Sequence, residues 1–284
     1  MSSVNTVGRM GRLEPMEVTA VATLGSCAQR GGVSFWLTAL LMNLTVYPLL
    51  ALWTLFGLLT LPLTLPLLRL VSGWSAQRTM RYLIWVYGQG WLLIMRPFVR
   101  FETEGLDPEK LHAPAILVVN HLSFFDTYCM ALLPCFDVNF AVRSWPFRMI
   151  FYGFVMRRAG YLDVESMNWR EALAAGRRVL EQPALQLFFP EGHRSRDGRL
   201  QRFYSGAFRL AKETGTKVIP LCLTGTDTLL PPGRLWLCPA RVRLQALEPV
   251  DPAEFPGENG HVEMRKAVKE RMRRHLEGGG ERRC

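Results

Sequence analysis

No residue from Gly31 to Leu68 carries a charge. The surface of a soluble globule rarely goes so far without one, which sets this stretch apart from ordinary solvent-facing structure. About 20 apolar residues span a bilayer as a helix. The run exceeds that length, yet two full spans would leave no loop. Arg30 and Arg69 bound it. Tyr47-Pro48, Leu61-Pro62 and Pro66 are expected to interrupt any helix, because proline lacks an amide proton and crowds the preceding turn. A broken hairpin dipping into a bilayer fits, as does one span with a buried tail. A long core helix is the remaining reading.

Paired cysteines are missing too. Cys27, Cys129, Cys135, Cys222, Cys238 and Cys284 form no C-x-x-C, and no histidines gather near them. That spacing argues against a zinc site and gives no expected metal. It points instead to a reducing compartment without a disulfide framework. No G-x-S-x-G is present: "YSGAF" (204–208) lacks the first glycine, which argues against a serine hydrolase with a nucleophile elbow.

Charge is abundant outside the apolar run. Lys and Arg number 34 against 24 Asp and Glu, a net charge of +10. Such a balance favours an anionic partner, either membrane lipid, nucleic acid or an acidic co-substrate. A nucleic-acid binder accounts for the charge and for the basic stretch 262–276, but not for the uncharged run, so no nucleic acid is expected.

The chain divides by texture. Residues 1–32 read as a flexible leader, too mixed for a secretory signal because Glu14 and Glu17 precede the apolar run. Residues 33–100 read as a hydrophobic membrane-anchoring region. Its second apolar segment, Tyr82–Met95, lies between Arg81 and Arg96. Trp85, Tyr87 and Trp91 suit either the headgroup layer or a packed core helix. Flanking arginines favour the cytoplasmic face of an inner membrane. Residues 101–260 read as a catalytic domain, and 261–284 as a basic C-terminal helix and tail.

Within 101–260, strand-like runs alternate with helical ones. "AILVVN" (115–120), "VNFAVR" (138–143), "GYLDV" (160–164), "LQLFF" (185–189), "KVIPLCL" (217–223) and "RVRLQAL" (241–247) read as strands. Trp169–Leu180 has helical spacing, with Ala172, Leu173, Val179 and Leu180 on one side. A helix continues through Phe208–Glu213. The expected fold is α/β, a mixed and mostly parallel sheet flanked by helices.

Chemistry in such sheets gathers where strands end. In "NHLSFFD" (120–126) a strand stops at Asn120-His121 and a carboxylate follows five residues later. Ser123 and Asp126 have the spacing of a capping box, which would make Asp126 a helix cap. Alternatively, His121 folds back, Asp126 holds one ring nitrogen, and the other faces outward as a base. In "FFPEGHRSRDG" (188–198) a strand ends at Pro190 ahead of Glu191, Gly192, His193, Arg194, Arg196 and Asp197. This is either a solvated turn or an anion clamp, in which arginine forks onto phosphate and Gly192 lets backbone approach a ligand.

Together these blocks resemble the PlsC-like glycerolipid acyltransferases. "NHLSFFD" matches their N-H-x-x-x-x-D signature, and "FPEGHRS" resembles F-P-E-G-T-R-S. "RRAGYLDV" (157–164) and "VIPLCL" (218–223) look like two further blocks in the family's order. The resemblance implies a membrane-bound acyltransferase of phospholipid biosynthesis, with His121 and Asp126 catalytic and Glu191, Gly192, His193 and Arg194 binding substrate. It implies a lysophospholipid acceptor, 1-acyl-glycerol-3-phosphate first of all, and no cofactor beyond acyl-CoA or acyl-carrier protein as co-substrate. Val164 stands where the family has an arginine associated with glycerophosphate. Arg157 or Arg158 then compensates, or the acceptor is another lysolipid such as a lyso-aminolipid.

Overall fold

A computed structural model describes residues 32–109 and 111–278. The leader reading therefore lies outside the described residues except at Gly32, as does the tail reading beyond Gly278.

Seven strands form one sheet in the order β1-β7-β6-β2-β5-β3-β4. They are β1 (Val99–Glu104), β2 (Ala115–Val119), β3 (Val138–Val142), β4 (Leu162–Asp163), β5 (Leu185–Phe188), β6 (Val218–Thr224) and β7 (Ala240–Ala246). Every pairing is parallel except β6 with β7. The sheet is thus mixed and mostly parallel, with helices α1 (Val33–Ser72), α2 (Ala76–Met95), α3 (Asp126–Cys129), α4 (Ser144–Phe147), α5 (Ile150–Ala159), α6 (Trp169–Leu180), α7 (Gly206–Thr214), α8 (Thr226–Leu229) and α9 (Gly260–Gly278) around it.

Strand β2 sits at the centre and is buried along its whole length. Its alternate side chains serve two cores. Leu117 and Val119 join Met42, Val46, Trp91, Phe125 and Leu221 on one face. Ile116 and Val118 join Phe208, Leu210, Val268 and Met272 on the other. A strand covered by helices on both faces must be apolar at every position, as "AILVV" is.

The prolines of α1 do not break it. Helix α1 runs continuously through Pro48, Pro62 and Pro66. Within an apolar segment any non-helical path would leave more backbone groups unpartnered. Thr45, Thr60 and Thr64 also donate their hydroxyls to carbonyls one turn back. At 40 residues, α1 is about 60 Å long, roughly twice the hydrocarbon core of a bilayer. It is long and apolar enough to cross a membrane. It does not project alone, however. Ala39, Met42, Val46 and Leu50 are buried, while Leu52, Leu55, Leu59, Leu63 and Leu67 are exposed.

Helix α2 packs between α1 and the domain. Trp53 of α1 donates from its indole to the Tyr87 carbonyl, and the two rings stack. A β-carbon on Gly90 would collide with Trp53 at 2.3 Å, so a glycine is needed where the helices meet. Arg81 is not a headgroup anchor: it is buried and its Nε donates to Asp137 at 2.5 Å. The fold uses that charge to close α2 onto the start of β3.

The C-terminal helix α9 is basic, as expected, and its apolar stripe is part of the core. Met264, Val268 and Met272 are fully buried against α7 and β6. Cys129, Cys135 and Cys222 are free. Cys238 is disulfide-bonded, a bond that the expectation of no disulfide framework did not include.

Candidate active site

The end of β2 is fixed by its neighbours. Asn120 is buried and mimics a strand residue toward β6. Its side-chain amide donates to the Leu223 carbonyl at 2.8 Å, and its carbonyl oxygen accepts from the Leu223 amide at 2.8 Å. The next residue, His121, is clamped on both sides of its backbone. Its amide donates to Oε1 of Glu191 at 2.8 Å, and its carbonyl accepts from the Ser195 amide at 2.7 Å.

The ring of His121 meets Asp126, with 2.7 Å between Nδ1 and Oδ2. A carboxylate oxygen only accepts, so Nδ1 carries the proton and Nε2 presents a lone pair. Asp126 is fully buried. The same Oδ2 accepts from the amides of Leu122 (2.5 Å) and Ser123 (2.8 Å), while Oδ1 is buried without a partner. Phe189 lies against the histidine ring, with centroids 4.4 Å apart. His121 remains partly open to solvent, with 18% of its side chain exposed.

The capping-box reading is half right. Asp126 reaches back to the Ser123 amide as the acidic member of such a box would. The serine half is different: Ser123 Oγ donates to the Leu230 carbonyl at 2.6 Å. The helix is also shorter than the spacing suggests, with α3 beginning at Asp126 rather than Ser123. Asp126 therefore holds the turn and the ring together.

Glu191 is buried, with both carboxylate oxygens engaged: Oε1 with the His121 amide and Oε2 with the Gln201 amide at 2.7 Å. Burial raises its pKa above the usual glutamate value, against the opposing pull of those two amides. Glu191 thereby ties the "FPEG" loop to the histidine loop. Gly192 has φ +70°, and a β-carbon there would meet Tyr204 at 2.8 Å, so glycine is required twice over. His193 and Arg194 are exposed beside it. Ser195 is buried; its hydroxyl lies 2.8 Å from both Asp197 Oδ1 and the Arg199 carbonyl, either of which can accept its proton. Arg157 and Arg158 turn elsewhere, Arg157 to the Phe147 carbonyl and Arg158 over the Phe154 ring.

Sequence reasoning did not single out Asn120–Leu223, Ser123–Leu230, Gln201 or the Phe189 ring. Asn120, Ser123, Phe189 and Leu223 stood inside quoted motifs, but Asn120 and Leu223 lie 103 residues apart.

Residues 100–224 match the Acyltransferase family model. This stretch is an acyltransferase-family domain. This domain is 36% identical over 141 residues to a chloroplastic 1-acyl-sn-glycerol-3-phosphate acyltransferase of Arabidopsis thaliana, covering 48% of this chain and 39% of that protein. A 1-acyl-sn-glycerol-3-phosphate acyltransferase of Salmonella typhimurium is 29% identical over 148 residues, covering 50% of this chain and 58% of its own. The matches thus span about two fifths to three fifths of these relatives. The crystal structure of the acyltransferase PlsC of Thermotoga maritima shares the fold, with a TM-score of 0.64 at 24% identity over 87% of this chain and 96% of that one.

The acyltransferase domain places its histidine, carboxylate and glycine-bearing loop at the ends of β2 and β5, where α/β sheets collect their sites. Cys129, three residues beyond Asp126, is buried, and burial together with the Asp126 charge pushes its thiol pKa well up. A thiol held neutral is a poor nucleophile.

Proposed function

We propose that this protein transfers a fatty acyl group from a thioester, acyl-CoA or acyl-carrier protein, to the hydroxyl of a lysophospholipid, 1-acyl-glycerol-3-phosphate first of all. The reading is carried by the His121–Asp126 contact, which leaves Nε2 as the base on a partly exposed ring stacked on Phe189. Nε2 takes the proton from the acceptor hydroxyl. The alkoxide oxygen attacks the thioester carbonyl carbon, and a tetrahedral intermediate forms. It collapses by expelling the thiolate, which recovers the proton from the imidazolium. Asp126 stabilises that imidazolium, and no acyl-enzyme is needed. Gly192, His193 and Arg194 receive the acceptor phosphate, and Glu191 holds their loop against the base.

The reaction takes place at the cytoplasmic face of the inner membrane, with the exposed face of α1 in the lipid. One observation favours a second acceptor. Val164 replaces the family's glycerophosphate-associated arginine, and Arg157 and Arg158 point away to the 147–154 segment, so a lyso-aminolipid is the alternative. Purified protein given a labelled acyl thioester and a panel of lysolipids, with products read by mass spectrometry, separates the two. Transfer to lysophosphatidate is expected to dominate. Transfer confined to a lyso-aminolipid would replace this acceptor, and transfer to none would remove the reading.

A further inference from the structure

Away from the histidine, the segment joining β3 to β4 exposes a dense apolar cluster. Trp145, Met149, Ile150, Phe151 and Phe154 all face solvent, Ile150 at 81% and Phe151 at 63% exposure. Large side chains of this kind scattered singly are ordinary; five within ten residues on two short helices are not. The backbone beneath them is well held. Gly153 is buried, and a β-carbon there would strike the Phe147 carbonyl at 2.2 Å. Helices α4 and α5 are thereby locked together, so the cluster is a built surface rather than a frayed loop.

The charges around this cluster have one dominant sign. Arg143, Arg148, Arg157 and Arg158 are exposed at its margin. Arg158 lies over the Phe154 ring, and Arg157 is held to the Phe147 carbonyl. The acidic residues nearby are already engaged: Glu165 with Arg143, and Asp163 with the Ser144 hydroxyl. A cap of aromatic and branched residues ringed by arginines matches a bilayer whose acyl chains lie beneath anionic headgroups.

The cluster is also tied to helices α1 and α2 through packed side chains. Helix α5 packs on α2, the helix that carries α1. Tyr152 of α5 hydrogen-bonds Tyr128 of α3 at 2.6 Å. Tyr128 stacks on Trp91 of α2 with centroids 3.9 Å apart, and Tyr87 of α2 stacks on Trp53 of α1.

We propose that residues 145–154 form a second membrane-contact surface, in which Ile150, Phe151 and Phe154 enter the headgroup–acyl boundary of an anionic bilayer while Arg148, Arg157 and Arg158 meet lipid phosphates. This deepens the reading of the protein as an enzyme working at a bilayer and rests on it. Contact by α1 alone leaves the domain free to pivot about the helix; contact by the α4–α5 cap as well fixes the domain's orientation.

The test uses full-length protein bound to vesicles of phosphatidylethanolamine and phosphatidylglycerol. Photoreactive benzoylphenylalanine is placed singly at Phe151, at Leu52 on the exposed face of α1, and at Trp169, an exposed aromatic on α6. Lipid adducts after illumination are read by mass spectrometry. Adducts at 151 and 52, and none at 169, are expected, with the yield at 151 falling several-fold in phosphatidylcholine vesicles. Adducts at 52 without adducts at 151 overturn the proposal and leave the membrane reading of α1 intact. Adducts at neither position overturn both, and equal adducts at all three overturn the idea of a particular face. Because no step depends on acyl transfer, these outcomes stand apart from the fate of the proposed activity.

Discussion

Asp126 holds the ring of His121 with the same oxygen that closes the turn beneath it. Oδ2 accepts from His121 Nδ1 at 2.7 Å and also from the amides of Leu122 and Ser123. Replacing Asp126 by Asn keeps a carbonyl oxygen for those amides, and the new NH2 falls where Oδ1 has no partner. Asp126→Asn is therefore expected to fold and melt close to the wild type. Its rate should fall by about tenfold or more, because a neutral amide cannot stabilise an imidazolium. Thermal melting and acyl transfer on one sample check this; a normal rate would reduce Asp126 to a turn-former.

Glu191 reaches a residue 70 positions away, His121. In Glu191→Ala the amides of His121 and Gln201 lose their acceptor, at a cost of about 1–3 kcal/mol for each amide that stays dry. Glu191→Gln satisfies one amide and sets an NH2 against the other. The pH dependence has a definite sign. Burial raises the folded-state pKa of Glu191 above the ordinary glutamate value of 4.5, so in the window between the two the folded protein binds more protons than the unfolded chain. Stability contributed by this group is full below about 4.5 and declines as pH rises through the raised value. The melting temperature of wild type relative to Glu191→Gln should therefore drop as pH rises above about 4.5. An advantage that grew with pH would mean that the two amides outweigh burial.

Asn43 is the buried polar residue by which α1 grips the domain. Its amide donates to the Leu237 carbonyl and its oxygen accepts from the Leu237 amide. Asn43→Leu strands both groups and should cost about 2–4 kcal/mol of stability, while membrane association persists through the exposed leucines. Chemical denaturation in detergent and vesicle flotation check the two halves; unchanged stability would show that the Leu237 groups find water.

Arg194 stands exposed beside Gly192. Arg194→Lys keeps the charge and loses the planar fork, so the acceptor KM should rise with little change in melting temperature. An unchanged KM for every acceptor would return Arg194 to a solvated turn.

Much of this was legible in the sequence because it is local. "AILVV" is apolar throughout as a strand buried on both faces must be, and α6 begins at Trp169 with Asn168 and Glu171 forming its capping box. Strand β1, "VRFETE", was missed. Its pattern lacks the long apolar run of the other strands, and Glu102 pairs across to Arg241 and Arg243 of β7. The continuity of α1 was hidden by prolines, whose cost depends on surroundings the sequence does not display. The His121–Asp126 contact was readable because it spans five residues. The clamp by Glu191, the Asn120–Leu223 pair and the Asn43 grip join positions far apart, where no spacing rule applies.

The central claim is that His121 acts as the base in acyl transfer. The most direct measurement is the rate of transfer from a labelled acyl thioester to lysophosphatidate at saturating acceptor, in wild type and in His121→Ala of equal melting temperature. General-base help is typically worth roughly 10²–10⁴-fold. The account predicts steady transfer by wild type and a loss of that size in the variant, with the acceptor KM little changed. A variant that transfers at the wild-type rate would contradict it.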